Sequence, residues 1–475
     1  MGIKSPKTVP RFMSIKQHVL FVVPDGVGIK NYLYSDVLKH LIQAGAMVSI
    51  WSPLPESVFD EVKQLHNIEI GYKQLVLKKE PVLTRFYREA TTYARLLRNT
   101  ALQNNATILS NWNIPKQNLK LKLLYQSAMQ FGRYLAKDYK RIVNYETKSR
   151  QGWSKTIVDA YVGDLKTVEA TSLFITHQRV ASLMPICIAA KTLGINVNTV
   201  IFSWDNLPKA RLCVWADQYL VWSEWMQQEM KQYYPEIEDS KIKLVGTPQF
   251  DFYLDENKVI DREQFAKTYG LDPQKKWICF SGDDVRTSPY DVNFLEDVGA
   301  ALSDYKDTIQ VIFRRCPADF STRYDSVLNR FKSFMIPIDP IWHVAEDGNW
   351  TGNVSKYEDI SMQVSLAYHC ETVINLGSTM AFDFSMFNTP CLYLNYNPIE
   401  NGEWLVETIY KYQHFRSMKG LDAVGWIHTK DAIASVVLKT IHDPNTIAVD
   451  RQDWMKVVVR HPIQENSTLI AKTIL

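Results

Sequence analysis

The spacing of apolar and polar positions divides the chain into an α/β stretch, a long helical stretch and a second α/β stretch. His18 to Val23 (HVLFVV) is an unbroken apolar run of strand length. The turn-forming Pro24-Asp25-Gly26-Val27-Gly28 follows, and then a helix-period segment over 32–44. Gly45 ends that helix and 47–51 reads as the next strand, so a β-α-β unit opens the pattern. Apolar runs of strand length return at 172–175, 197–202, 218–221 and 242–245, with helical periodicity over 181–193 and 224–233. A second series begins at 277–280 and continues through 310–313, 334–338, 372–376 and 391–394. Continuous apolar strands alternating with helices predict parallel sheets covered on both faces. The fold class expected is therefore α/β, with two Rossmann-like doubly wound domains facing a cleft.

Within the first series, about 81–157, the pattern is helical, nearly free of strand-like runs and rich in Lys and Arg, among them Arg85, Arg88, Arg95, Lys116, Lys120, Lys122, Arg133 and Lys137. A polar stretch over 255–274 reads as the crossover between domains, which predicts an N-terminal domain over 1–254 carrying the helical insertion and a C-terminal domain over 255–475.

Length and charge sharpen this division. At 475 residues the chain is too long for a single small module, and 46% hydrophobic against 22% charged residues excludes a disordered or fibrous protein. The net charge of +3 argues against a dedicated nucleic-acid binder. It conceals an asymmetry, because residues 1–150 hold 23 Lys and Arg against 10 Asp and Glu. The remainder is acidic. Residues 115–156 alone carry 10 basic and 2 acidic side chains, which reads either as a face meeting an anionic membrane surface or a lipid-phosphate-linked acceptor, or as a solvated basic helix.

The six cysteines are scattered without C-x-x-C spacing, as expected of reduced, buried small hydrophobes rather than zinc ligands. No secretory signal or membrane-span run is evident, so the expected place is the cytoplasm, peripherally at the inner face of the cell membrane. The glycosylation patterns at Asn105, Asn349, Asn353 and Asn466 read as chance matches.

In open α/β sheets ligands bind beyond the carboxyl ends of strands. Of those loops, the one in Thr372-Val-Ile-Asn-Leu-Gly-Ser-Thr-Met-Ala-Phe-Asp383 is the most informative. Gly377 turns the chain and Ser378 or Thr379 caps a helix to about Phe387, a recipe for holding a phosphate or simply an ordinary capped turn. Asp383, one turn on, could accept from sugar or ribose hydroxyls. Arg314 and Arg315 end another strand, where a guanidinium can grip a diphosphate or form a surface salt bridge. Asp283-Asp284, after Ser281-Gly282, invite a metal reading, but a solvated loop explains them as well, and no metal site is expected.

In the first domain His177, Asp205 and Asp25 are candidate bases at strand ends, each with a structural role as its alternative. The stretch Ser203-Trp204-Asp205-Asn206-Leu207-Pro208-Lys209-Ala210-Arg211 crowds charged groups around an aromatic. Gly26-Val-Gly28-Ile-Lys-Asn31 is an incomplete dinucleotide fingerprint, and P-loop, G-x-S-x-G and H-E-x-x-H motifs are absent.

At these residues, over roughly 170–400, the chain resembles bacterial glycosyltransferases of the GT-B fold, a class associated with surface polysaccharide and lipid-linked glycan assembly. The likeness rests on Phe202-Ser-Trp-Asp-Asn206, Tyr219-Leu-Val-Trp-Ser223, Val245-Gly-Thr-Pro-Gln-Phe-Asp251 and 374–383. The last is also similar to the matching loop of teichoic acid glycerophosphotransferases. The resemblance implies a nucleotide-sugar donor on the C-terminal domain, with Gly377, Ser378 and Thr379 at its phosphates, Asp383 at its hydroxyls and a floor of Gly246, Thr247 and Pro248; Arg314, Arg315, Ser281 and Gly282 are expected beside it from their places at strand ends. It implies a glycan or lipid-linked acceptor in the N-terminal domain across the cleft; residues before 170 carry no resemblance, and the acceptor contacts expected from their loop positions are Gly26, Gly28, Arg179, Trp204, Lys209 and Arg211, with no cofactor expected. Where relatives often read Arg-Pro-His-Pro, this chain has Arg314-Arg315-Cys316-Pro317, so no histidine is offered at 316. The alternatives are a nucleotide-sugar epimerase or polyol-phosphate transferase of the same fold, and a non-catalytic assembly partner.

Overall fold

The computed structural model describes residues 17–115, 118–344 and 352–475. Lys116 and Asn349, singled out above, lie outside them. The first sheet contains β1 (His18–Val22), β2 (Met47–Ser52), β3 (Gly71–Gln74), β4 (Ser172–Ile175), β5 (Asn196–Val200), β6 (Gln218–Val221) and β7 (Ile242–Leu244). All pair in parallel in the order β3-β2-β1-β4-β5-β6-β7, the doubly wound arrangement with β1 at the reversal point. The second contains β8 (Lys276–Ser281), β9 (Ile309–Arg314), β10 (Met335–Ile338), β13 (Thr372–Asn375), β14 (Cys391–Leu394) and β15 (Gly425–Ile427), parallel in the order β10-β9-β8-β13-β14-β15. A two-stranded antiparallel ribbon, β11 (Trp342–His343) with β12 (Val354–Ser355), projects from it toward the first domain.

These strands form where the sequence predicts them because they are buried on both faces: β1, β4, β9, β13 and β14 carry no exposed side chain. β3 and β15 escape the pattern. β3 is a partly exposed edge strand reading Gly-Tyr-Lys-Gln, and β15 has three residues. The helix expected over 32–44 begins later. Residues Ile29–Leu33 form a π-type turn, and Ser35 then caps Asp36–Gln43 by accepting from the Val37 N–H.

The insertion lies between β3 and β4. Helices Val82–Gln103, Leu119–Leu135 and Tyr139–Gln151 share a small core of Ala90, Ala94, Ala128, Leu135 and Ile142. A fourth helix, Lys155–Val168, returns to cover the sheet, with Tyr161 against Trp51. The main core is continuous from one domain into the other, and a second cluster covers the far face of the second sheet. The expected 254/255 boundary puts Asn466–Ile474 in the second domain, yet this helix packs on the first. Thr468 Oγ1 lies 3.0 Å from His40 Nε2, Ser467 donates to Asp251, and the Asn466 side chain fills the space left by Gly246. Among the described residues no helix is long and apolar enough to cross a membrane, and all six cysteines are free thiols.

Candidate functional site in the interdomain cleft

A cavity of about 430 Å³ opens between the domains, beyond the carboxyl ends of both sheets. Gly377, Ser378 and Thr379 line one side. Gly377 adopts φ +70°, and a Cβ there would come within 2.7 Å of the Phe415 ring, so glycine is required on two counts. The turn is fixed from within: the Ser378 N–H donates to Asn375 Oδ1 at 3.0 Å, and the Tyr393 hydroxyl donates to the Ser378 carbonyl at 3.1 Å. The helix beyond is shorter than expected, Met380–Ser385, and its cap is weak. Ser378 Oγ accepts from the Met380 N–H at 3.3 Å, whereas Thr379 makes no capping bond. Thr379 is thereby left to line the cavity.

The opposite side comes from the first domain. Asp205 and Lys209 form an ion pair there, and Asn206 donates to Asp205 at 2.8 Å. Burial disfavours the Asp205 charge, but the Lys209 ammonium outweighs it and holds the carboxyl well below its usual range. His414, on the turn Gln413–Met418, is pushed down to about 4 by burial, only partly offset by Asp205, and is therefore neutral at pH 7. The third wall is the end of the insertion: Thr107, Ser110, Asn111 and Asn113 face the cavity. Asn105 tethers this segment across the domains by donating to Lys411 O and Gln413 Oε1, both at 3.0 Å.

A second cavity, about 190 Å³, shares Thr379 with the first and holds Lys30, Gln363, Tyr253, Trp342 and Asp383. Lys30 Nζ donates to Gln363 at 2.7 Å. Burial lowers its pKa, opposed by Asp359 and Asp383. Asp383 therefore faces this smaller space, accepting from the Tyr253 hydroxyl at 2.6 Å, with burial pushing its carboxyl up to about 6.

The structure unites two residues that the sequence offered separately as bases. β1 and β4 are neighbours, with Val22 opposite Ile175, so the loops after them lie side by side. His177 Nδ1 sits 2.6 Å from Asp25 Oδ2, and the ring stacks on Phe202 at 4.0 Å. Asp25 also caps the next turn by accepting from the Gly28 N–H at 3.3 Å. His177 Nε2 is buried and finds no partner among the described residues. In the tautomer that satisfies the carboxylate, Nδ1–H donates to Asp25 and Nε2 keeps its lone pair. The pair does not line either cavity. It lies at the domain boundary, since Gly26 beside it touches the Asn353–Val354 backbone of the ribbon.

Several expected ligand contacts have other roles. Arg314 Nη2 donates to both carboxylate oxygens of the buried Asp359 (2.9 and 3.2 Å), and Arg315 pairs with Asp339 and donates to Ser321 O, both at 2.8 Å. Ser281 and Gly282 extend the ladder beside Arg314, and the next residue, Asp283, is the one that reaches the cavity. Burial, with Asp291 and Asp284 nearby, raises the Asp283 carboxyl well above its usual range. Among the described residues no group of three potential ligands is placed to hold a metal ion. Gly246, with φ +81°, and the buried Thr247 and Pro248 pack under the Asn466 helix instead of flooring the cleft.

On the acceptor side, Trp204 is buried in the domain interface against Phe382, His414, Phe415 and Trp454, so it joins domains instead of presenting a face. Gly26 and Gly28 admit close neighbours: a Cβ would lie 2.1 Å from Asn353 O and 2.4 Å from Thr176 Oγ1. Arg211 donates to Glu89 of the insertion at 3.4 Å. Burial and Arg211 lower the pKa of Arg179, which lines neither cavity. Of the expected acceptor contacts only Lys209 faces the main cavity. Lys30, His414 and the insertion end carry no motif that would have marked them.

No protein-family model and no curated protein matches the chain. Solved structures do. A UDP-GlcNAc 2-epimerase from Neisseria meningitidis, bound to UDP-GlcNAc, is 11% identical and superposes with TM-score 0.50 over 97% of this chain and 99% of its own. The S. aureus MnaA–UDP co-structure matches at 9% identity and TM-score 0.51, over 96% and 95%. A UDP-GlcNAc 2-epimerase from Methanocaldococcus jannaschii matches at 11% and 0.50, over 97% and 98%. At such identities the likeness is one of fold, and the two-domain arrangement is the GT-B fold.

Proposed function

We propose that this chain is a nucleotide-sugar-dependent glycosyltransferase of the GT-B class, moving a sugar to a hydroxyl of a glycan or lipid-linked acceptor in surface-polysaccharide assembly. The observation that carries the reading is the 430 Å³ interdomain cavity, where the Gly377–Thr379 turn of one domain faces Asp205 and Lys209 of the other. The turn offers hydroxyls and Lys209 a cation to a diphosphate, while the insertion end closes the third side. In an inverting transfer the acceptor oxygen bonds to the anomeric carbon, the bond from that carbon to the phosphate oxygen breaks, and the electron pair leaves with the nucleotide. The hydroxyl proton passes to Asp205, the candidate base that lines this cavity.

A second reading, a nucleotide-sugar epimerase, is favoured by neighbours of the same fold, among them the UDP-GlcNAc 2-epimerase bound to UDP-GlcNAc and the MnaA–UDP co-structure. Screening UDP, GDP, CMP, CDP and dTDP for thermal stabilisation tests nucleotide binding, and stabilisation by none of them overturns both readings. Incubation with the matching sugar nucleotide then separates them: a new isomer without any acceptor identifies an epimerase, whereas a product that requires acceptor identifies a transferase. Asp205→Asn should lower turnover by about 10²–10⁴-fold while the variant still gains thermal stability from nucleotide. A wild-type rate in this variant would remove Asp205 from the mechanism.

A further inference from the structure

We infer that the outward face of helix Leu119–Leu135 docks on an anionic lipid membrane. The sequence marks a whole basic stretch, and the structure separates its charges into two populations. Two arginines of Val82–Gln103 are turned inward: Arg88 is held by Glu80 and Glu89, and Arg95, fully buried, by Glu146 and Glu236. They are not available to a partner.

Helix Leu119–Leu135 is different. Its inner side is Tyr125, Ala128, Gly132 and Leu135, with Gly132 so close to the neighbouring helix that a Cβ would lie 2.6 Å from Ala90 O. The other side exposes Leu119 by 70% and Leu123 by 55%, beside Lys120, Lys122 and Arg133. The helix contains no acidic residue, and among the described residues none of these three cations forms an ion pair. Exposed leucines one turn apart, flanked by unpaired cations, match a surface that is anionic outside and hydrocarbon beneath. A nucleic acid supplies the phosphates but no apolar layer. The face also follows closely in the chain on Asn113, which lines the main cavity, so docking would set that cavity beside the headgroups.

The experiment is co-flotation of the whole protein with phosphatidylcholine vesicles, with and without phosphatidylglycerol, at low and high salt. Binding is expected only with the anionic lipid. It should weaken about fivefold for each of Lys120→Ser and Lys122→Ser, fall at high salt, and vanish in the Leu119→Ser/Leu123→Ser double variant. All four side chains are exposed, so the unfolding temperature should not move, and a circular-dichroism melt checks this. Equal flotation with both lipids, no flotation, or wild-type flotation of the double variant overturns the inference. So does a dimer that the leucine changes dissociate in sedimentation equilibrium, which would assign the face to a second copy. Nucleotide stabilisation of the same variants is read in parallel and should be unchanged, so failure here is separate from failure of the transferase reading.

Discussion

Two loops at the same edge of the second sheet look equally suited to hold an anion, yet they have opposite fates. After β9 come Arg314 and Arg315, and both guanidiniums are taken by carboxylates of their own domain. After β13 come Gly377, Ser378 and Thr379, uncharged, open to the cavity, and braced from behind by Asn375 and Tyr393. The difference lies in desolvation. A charge at a buried strand end must be neutralised whether or not a ligand is present, so it acquires an internal partner. Hydroxyls and backbone N–H groups at a cavity edge can wait for a ligand at little cost.

Three measurements bear on this comparison, beginning with the largest effect. Arg314→Met leaves Asp359, only 1% exposed at its side chain, without its cation, and should lower stability in chemical denaturation by about 3–5 kcal/mol. Adding Asp359→Asn, which removes the unpaired charge and keeps an acceptor for the Ile341 and Trp342 N–H donors, should return part of that loss, and nucleotide affinity should stay level throughout. A stable Arg314→Met protein that no longer binds nucleotide would reverse the roles of the two loops.

Glu229 sharpens the rule, because it is buried with no ion pair among the described residues, and burial pushes its carboxyl up to about 8. The folded state keeps this proton at pH values where the unfolded chain, with its ordinary value of 4.5, has released it. Stability therefore falls as pH rises from 4.5 to about 8 and is level beyond. Glu229→Gln should remove this fall, worth a few kcal/mol, and the variant should outlast wild type in alkaline melts. A parallel pH profile in both proteins would mean that Glu229 does not titrate there.

The smallest change is expected at the other loop. Ser378→Ala with Thr379→Ala should alter stability by no more than about 0.5 kcal/mol while weakening nucleotide binding roughly tenfold, as two lost neutral hydrogen bonds imply. Unchanged affinity by calorimetry would show that the loop does not hold the ligand.

The sequence was legible where apolar continuity decides structure. β1, β4, β8, β9, β13 and β14 are buried runs, and their order along the chain predicts two doubly wound domains. The site was legible as a set of strand ends and not as pairs. Asp25 and His177 meet because β4 inserts next to β1 after the whole insertion, a fact of sheet order that no local pattern carries. The same gap hid the partners of Arg314 and Arg315, since Asp359 and Asp339 come from later segments. Trp204 read as a loop aromatic poised for a ligand because the domain covering it starts beyond residue 254. His414 and Lys30 had no motif, and only the closing of the cleft gives them neighbours.

The return of helix Asn466–Ile474 to the first domain has a consequence for the order in which the protein is made. Gly246 and Asp251 acquire their covering only when residues 466 and 467 arrive, so the first domain stays open on a ribosome while the entire second domain is synthesised. The domain begun first is completed last, and its assembly waits on contacts more than two hundred positions apart, of the slow, non-local kind.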